Sequence, residues 1–271
     1  QQRCLLPEDG SLTKLATQAG QAALGMAAIS PNEVDLIILA TSTPDDLFGS
    51  AAQVQAQLGA TQAVAFDLTA ACSGFVFALV TAAQFMRNGV YKTVLVIGAD
   101  ALSRWTDWAD RRTCVLFGDG AGAVVLKASD RDRLLGFELH SNGALNGCLN
   151  LRYEAQSEPV VADKTVQKGT YQPITMNGKE VYRFAVKRVP EVIEKALFRA
   201  DLTAADVQWL VLHQANQRIL DAVADRLKVP SERVISNMAR YGNTSAASIP
   251  LALDEAIRDN RIQPGDVIAS A

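Results

Sequence analysis

Histidine is the scarcest chemically useful residue in this chain: there are two in 271 residues, His140 and His213. Acid–base or nucleophilic chemistry that needs an imidazole near neutral pH is therefore confined to two places. Cysteine is sparse too. The four thiols, Cys4, Cys72, Cys114 and Cys148, lack paired spacing, which excludes a disulfide framework and a zinc motif. Such usage fits a reducing, cytoplasmic compartment. Aromatic residues make up only 6% of a chain that is 49% hydrophobic. Ala, Val and Leu supply the rest, which suits helices packed closely on a buried parallel sheet. Neither sign of charge dominates. A net charge of −3 argues against broad binding to nucleic acid or an anionic membrane, and leaves room for a local basic patch. No apolar run approaches the roughly 18 residues of a membrane span. The first residues, Gln1-Gln2-Arg3-Cys4, are neither an initiator Met nor a signal peptide.

What the chain does have is a repeat. Ala23 to Leu39 lies over Ala196 to Leu212 without a gap, pairing Ala23 with Ala196, Leu24 with Leu197, Ala27 with Ala200, Val34 with Val207 and Leu39 with Leu212. Ser30 and Thr203 correspond as well, each suited to capping a short turn before an acidic residue and a strand. Each copy reads as helix, turn and continuous apolar strand, the pattern of a sheet covered on both faces. A second strand, a small-residue elbow and an apolar helix follow each, with the elbows at Cys72 and Asn243 in equivalent places. The expected organisation is a first half over residues 1–126, a polar connecting segment over 127–182 and a second half over 183–271. The second copy stops at Ser270-Ala271. The first continues through the Gly-rich run Phe117 to Gly122 and another strand, so a matching loop and strand are expected beyond residue 271. The amino terminus reads as clipped in the same way.

A duplicated unit brings Cys72, His213 and Asn243 to one end of paired sheets, where ligands collect in α/β folds. Cys72 follows a strand and precedes a helix, in Thr69-Ala70-Ala71-Cys72-Ser73-Gly74. The positive end of a helix favours a thiolate and hence a nucleophile. Locally, a small packed residue fits equally well. A histidine and an asparagine nearby tip the balance toward nucleophile. His213 follows the apolar run Val207 to Leu212, where a hydrogen-bonded core histidine is the plain alternative. Asn243 offers an amide donor that cannot ionise, suited to a developing oxyanion or enolate oxygen. Its alternative is ordinary turn chemistry in Gly-Asn-Thr-Ser. The Phe117–Gly122 run lacks the lysine of a phosphate loop and the spacing of a dinucleotide fingerprint, so backbone packing is its expected role. His140 is expected to be structural.

These stretches, together with Leu212 to Arg218 and Tyr241 to Asp254, resemble the β-ketoacyl-[acyl-carrier-protein] synthase III family of the thiolase-like superfamily. The resemblance implies a five-layer αβαβα fold, a homodimer and no cofactor, with acyl-CoA and malonyl-[acyl-carrier-protein] as substrates. It implies a decarboxylative Claisen condensation through acyl-Cys72, with His213 and Asn243 holding the enolate oxygen. Arg111 resembles the arginine that stacks on the CoA adenine. Leu116 and Phe117 would line the acyl pocket, and Gly178 and Asn216 the pantetheine tunnel. Gln214 and Arg218 resemble the carrier-protein docking segment, with Arg183 and Arg226 extending its basic face toward an acidic partner. Three other readings stay open. They are a Cys-His-Asn acyltransferase or polyketide-type synthase with another acceptor, a papain-type hydrolase, and a non-catalytic acyl-CoA or carrier-protein binding module.

Overall fold

A computed structural model describes residues 2–271. The first half runs α1 (Leu12–Ala27), β1 (Leu36–Ala40), α2 (Ala51–Leu58), β2 (Val64–Leu68), α3 (Gly74–Arg87), β3 (Thr93–Ala101) and β4 (Asp119–Lys127). The connecting region carries β5 (Leu149–Asn150), β6 (Tyr153–Val161), β7 (Lys164–Tyr171) and β8 (Thr175–Met176). The second half runs α4 (Gly178–Arg199), β9 (Trp209–Val211), α5 (Gln217–Leu227), α6 (Met238–Tyr241), α7 (Ser248–Arg258) and β10 (Ile268–Ser270). Among the described residues no helix is long and apolar enough to cross a membrane.

The larger sheet has the order β2-β1-β3-β4; the first three strands are parallel and β4 is antiparallel to β3. β9 pairs in parallel with β10, and Leu210 makes a further parallel bridge to Val234. Strand periodicity then separates the layers. Leu36, Ile38 and Ala40 of β1 pack with Phe75, Ala78 and Ala82 of α3, with Ile249 and Ala252 of α7, and with Val211 of β9. Ile37 and Leu39 turn the other way, onto Leu12, Ala16 and Leu24 of α1 and Val54 of α2. On the second sheet, Leu210 and Leu212 face Ile193 and Leu197 of α4 and Leu220 and Val223 of α5. The layers are therefore α1/α2, sheet, α3/α7, sheet and α4/α5. This is the expected five-layer αβαβα fold.

The turns before the first strand of each copy are alike, as expected. Glu33 accepts from the N–H of Ser30 at 2.9 Å and Asp206 from that of Thr203 at 2.8 Å, each closing a short 3₁₀ turn. The elbows match as well, but not at the expected residue. Ala71 (φ 48°) and Ser245 (φ 50°) hold the same left-handed conformation, each starting a 3₁₀ turn that feeds a helix. The structural counterpart of Cys72 is therefore Ala246, and Asn243 lies just before the turn. Two further readings need correcting. The 182/183 boundary falls inside α4, which begins at Gly178. The connecting segment also contains a long hairpin, β6 on β7, whose strands are exposed throughout. With no buried face, neither strand shows the apolar alternation that makes a strand legible.

The second elbow presses on β3 at Gly98. A β-carbon there would overlap the Ala246 carbonyl oxygen, a backbone atom with nowhere to go. Gly98→Ala is expected to cost about 2–3 kcal/mol by overpacking. A urea midpoint lowered to that extent, with the slope unchanged, is the check.

Candidate active site

The second elbow collects the chemistry. Asn243 enters it between Leu116 and Gly118, donating its N–H to Leu116 O at 2.9 Å and accepting from Gly118 N–H at 3.0 Å. Its side-chain Oδ1 accepts from Ser245 N–H at 2.9 Å, which turns the amide NH₂ away from the turn. The Ser245 hydroxyl then donates to Cys72 Sγ at 3.5 Å. Three residues on, Ser248 Oγ lies 2.7 Å from Nδ1 of His213, which has come off the end of β9. The six residues from Asn243 to Ser248 thus reach, or supply, all three expected side chains.

Electrostatics set two effects against each other at Cys72. Burial pushes the Cys72 thiol up to about 11, against the Ser245 hydrogen bond and with help from the Asp100 carboxylate. Desolvation and a like charge thus oppose what the helix N-terminus does for a thiolate. Burial holds the His213 imidazolium down at about 4. At neutral pH the pair is thiol and neutral imidazole.

Asp100 carries no expected role, yet it is fully buried. Its Oδ1 accepts from Ser42 N–H at 2.8 Å, Thr43 Oγ1 at 3.0 Å and Thr41 Oγ1 at 3.2 Å; its Oδ2 accepts from Ala246 N–H at 3.1 Å. Burial raises its pKa against these donors and Ser245. One carboxylate thus ties the loop after β1 to the second elbow. The sequence signal was present: a lone acid inside the apolar run Thr93 to Ala101. Ser245 and Ser248 were visible only as turn residues.

The remaining expected residues divide. Phe117 is buried with Leu102 and Ile174, and Leu116 packs on that cluster, so both stand beside Asn243. Gly118 and Gly122 pack backbone to backbone as expected: a β-carbon would lie 2.6 Å from Tyr241 O and 2.8 Å from Leu251 N, respectively. Arg111 is exposed on the turn before Leu116; Gly178 opens α4 and Asn216 caps α5, both on the surface. Among the described residues no hydrogen bond joins these three to the elbow. Arg183 on α4, paired with Glu180 at 2.7 Å, and Arg218 and Arg226 on the adjacent α5 are exposed. Gln214 overturns its expected docking role. It is 0% exposed, donating to Leu212 O and Ile235 O and accepting from Asn237 N–H. A buried amide that ties β9 to the next segment has nothing left to offer a partner. His140 is in a surface pair with Glu138 at 2.7 Å.

Fold and elbow place the chain among the thiolase-like enzymes. The family description "3-Oxoacyl-[acyl-carrier-protein (ACP)] synthase III" matches residues 66–143, and its C-terminal counterpart matches residues 197–271. The β-ketoacyl-[acyl-carrier-protein] synthase III of Synechococcus elongatus is 67% identical over 271 residues, 100% of this chain and 81% of that protein. The synthase III of Acaryochloris marina is 66% identical over 269 residues, covering 99% and 81%. The crystal structure of 3-oxoacyl-[acyl-carrier-protein] synthase III from Aquifex aeolicus superposes with a TM-score of 0.88 at 43% identity, covering 98% of this chain and 81% of that one. The chain belongs to the β-ketoacyl-[acyl-carrier-protein] synthase III family.

Proposed function

We propose that this chain catalyses the initiating condensation of type II fatty acid synthesis, joining a short acyl-CoA primer to malonyl-[acyl-carrier-protein] through acyl-Cys72. The observation that carries this reading is the elbow from Asn243 to Ser248, which contacts Cys72 and His213 while presenting its own amide. Cys72 Sγ attacks the primer carbonyl, the bond to the CoA sulfur breaks, and the thiol proton leaves with that sulfur. Malonyl thioester then loses carbon dioxide, and the bonding pair moves to the thioester oxygen. Nε2 of His213 and the NH₂ of Asn243 stabilise that enolate as hydrogen-bond donors. The enolate carbon attacks acyl-Cys72, the sulfur leaves as thiolate with release of the β-ketoacyl product, and one proton taken up from solvent regenerates the thiol. Both thioesters are substrates, and no cofactor enters.

Leu116 and Phe117 line the acyl pocket beside Asn243, with Arg111, Gly178 and Asn216 along the path of the CoA and pantetheine arm. The acidic carrier protein docks on α4 and α5, where Arg183, Arg218 and Arg226 stand with Lys187, whose carbonyl accepts from Arg226 at 3.4 Å. The working form is a cytoplasmic homodimer.

Intact-protein mass after incubation with acetyl-CoA tests the reading. An acetyl adduct present in the wild type and absent from Cys72→Ala is expected, followed by acetoacetyl product only when malonyl-carrier protein is added. Product from an acceptor other than the carrier protein points to the acyltransferase alternative. The absence of any adduct removes the condensing reading.

A further inference from the structure

Ser248 opens α7 and is buried. Among the described residues its hydroxyl has two hydrogen-bond partners: Nδ1 of His213 at 2.7 Å and the N–H of Gln214 at 3.2 Å. A serine oxygen holds one proton and two lone pairs. The Gln214 amide can only donate, so it occupies a lone pair. If Nδ1 also donates, the serine proton is stranded in a buried site without an acceptor, which is the costly arrangement. If Nδ1 is bare, the serine proton points at it and every group is satisfied. We propose that Ser248 is a positioning residue that locks His213 in the neutral tautomer protonated at Nε2, the form in which the ring can donate to the enolate oxygen.

Two features reinforce this accounting. Ser248 sits at the first turn of an eleven-residue helix. The positive end of that helix disfavours an imidazolium and sharpens the serine as a donor. A ring with Nδ1 accepting from serine and Nε2 protonated also has no free lone pair for a thiol proton. A carbon–sulfur bond forms to Cys72 and one breaks to CoA, and the proton passes from one sulfur to the other, so the exchange balances with no base left protonated. The imidazole is then held for the step in which charge develops, on the malonyl thioester oxygen.

This inference rests on the role given to His213 above, and the test separates the two. Since the chain has two histidines, ¹⁵N-histidine labelling of His140→Gln leaves one ring to observe. At neutral pH its long-range proton–nitrogen spectrum is expected to show Nε2 protonated and Nδ1 bare and hydrogen-bonded. Ser248→Ala is expected to give a mixture of tautomers. It should also lower kcat for malonyl-carrier decarboxylation about tenfold, the loss of one hydrogen bond's orientation. KM and the acetylation of Cys72 should stay within about twofold, since the orienting bond acts only on the developing enolate. Ser248→Thr, which keeps the hydroxyl, should restore both tautomer and rate. A wild-type ring protonated at Nδ1, or on both nitrogens, overturns the proposal even if Ser248→Ala does not fold. So does a Ser248→Ala protein with wild-type tautomer and rate. The spectrum does not depend on turnover, so a wild-type chain that makes no product discredits the catalytic reading and still reports the tautomer.

Discussion

Cys72→Ala is expected to abolish condensation, by about 10⁴-fold or more, while malonyl-carrier decarboxylation continues. Asn243→Ala and His213→Ala should do the reverse. Each is expected to lower decarboxylation by about 10²–10³-fold and still allow Cys72 to take an acetyl group. The split follows from where charge develops. Acylation exchanges one thioester for another, and its transition state is centred on the Cys72 sulfur and the primer carbonyl. Decarboxylation places a full charge on the malonyl thioester oxygen, in a site where burial holds His213 neutral at about 4. A donor there is worth far more than in water, because nothing must reorganise when the charge appears. The double variant should lose less than the product of the two single losses, since both donors serve one oxygen. Following carbon dioxide release, acyl-enzyme mass and β-ketoacyl product separately is the check. Loss of all three together in Asn243→Ala would mean that the amide holds the elbow in place and has no separate catalytic role.

The duplication carried most of what was legible in the sequence. Strands buried on both faces leave uninterrupted apolar runs, and the runs ending at Leu39 and Leu212 could be laid over one another with their caps. The same logic brought Cys72, His213 and Asn243 to one place. It failed where residue type and environment part company. Neither Ala71 nor Ser245 is a glycine, yet both take a positive φ, so the register of the elbows was invisible and Asn243 was matched to Cys72 in place of Ala246. Polar Gln214 read as surface, but its partners are backbone groups that residue type does not announce. The thiol's environment is hard to read for a related reason. Its position before a helix is local, whereas Asp100, which opposes ionisation, arrives from another strand.

Asp100→Ala is expected to be the most destabilising of the substitutions near the site, at about 3–5 kcal/mol, because it leaves buried donors with no acceptor. Three of the four donors sit on Thr41, Ser42 and Thr43, and the fourth is the Ala246 N–H on the second elbow. Asp100→Asn separates the two ends of this clamp. An amide oxygen in the Oδ1 position keeps the three donors of the β1 loop, while the NH₂ that replaces Oδ2 faces the Ala246 N–H, donor against donor. About 1–3 kcal/mol should be lost, with the elbow displaced and the loop intact. The same substitution removes a negative charge that helps raise the Cys72 thiol to about 11. Taking that charge away favours the thiolate, so the pH profile of iodoacetamide alkylation at Cys72 should move to lower pH. Urea unfolding reads the first effect and alkylation rate against pH the second. A profile that does not move would mean that Asp100, whose own pKa burial raises, is already protonated in the native enzyme, and that the thiol owes its elevation to desolvation alone.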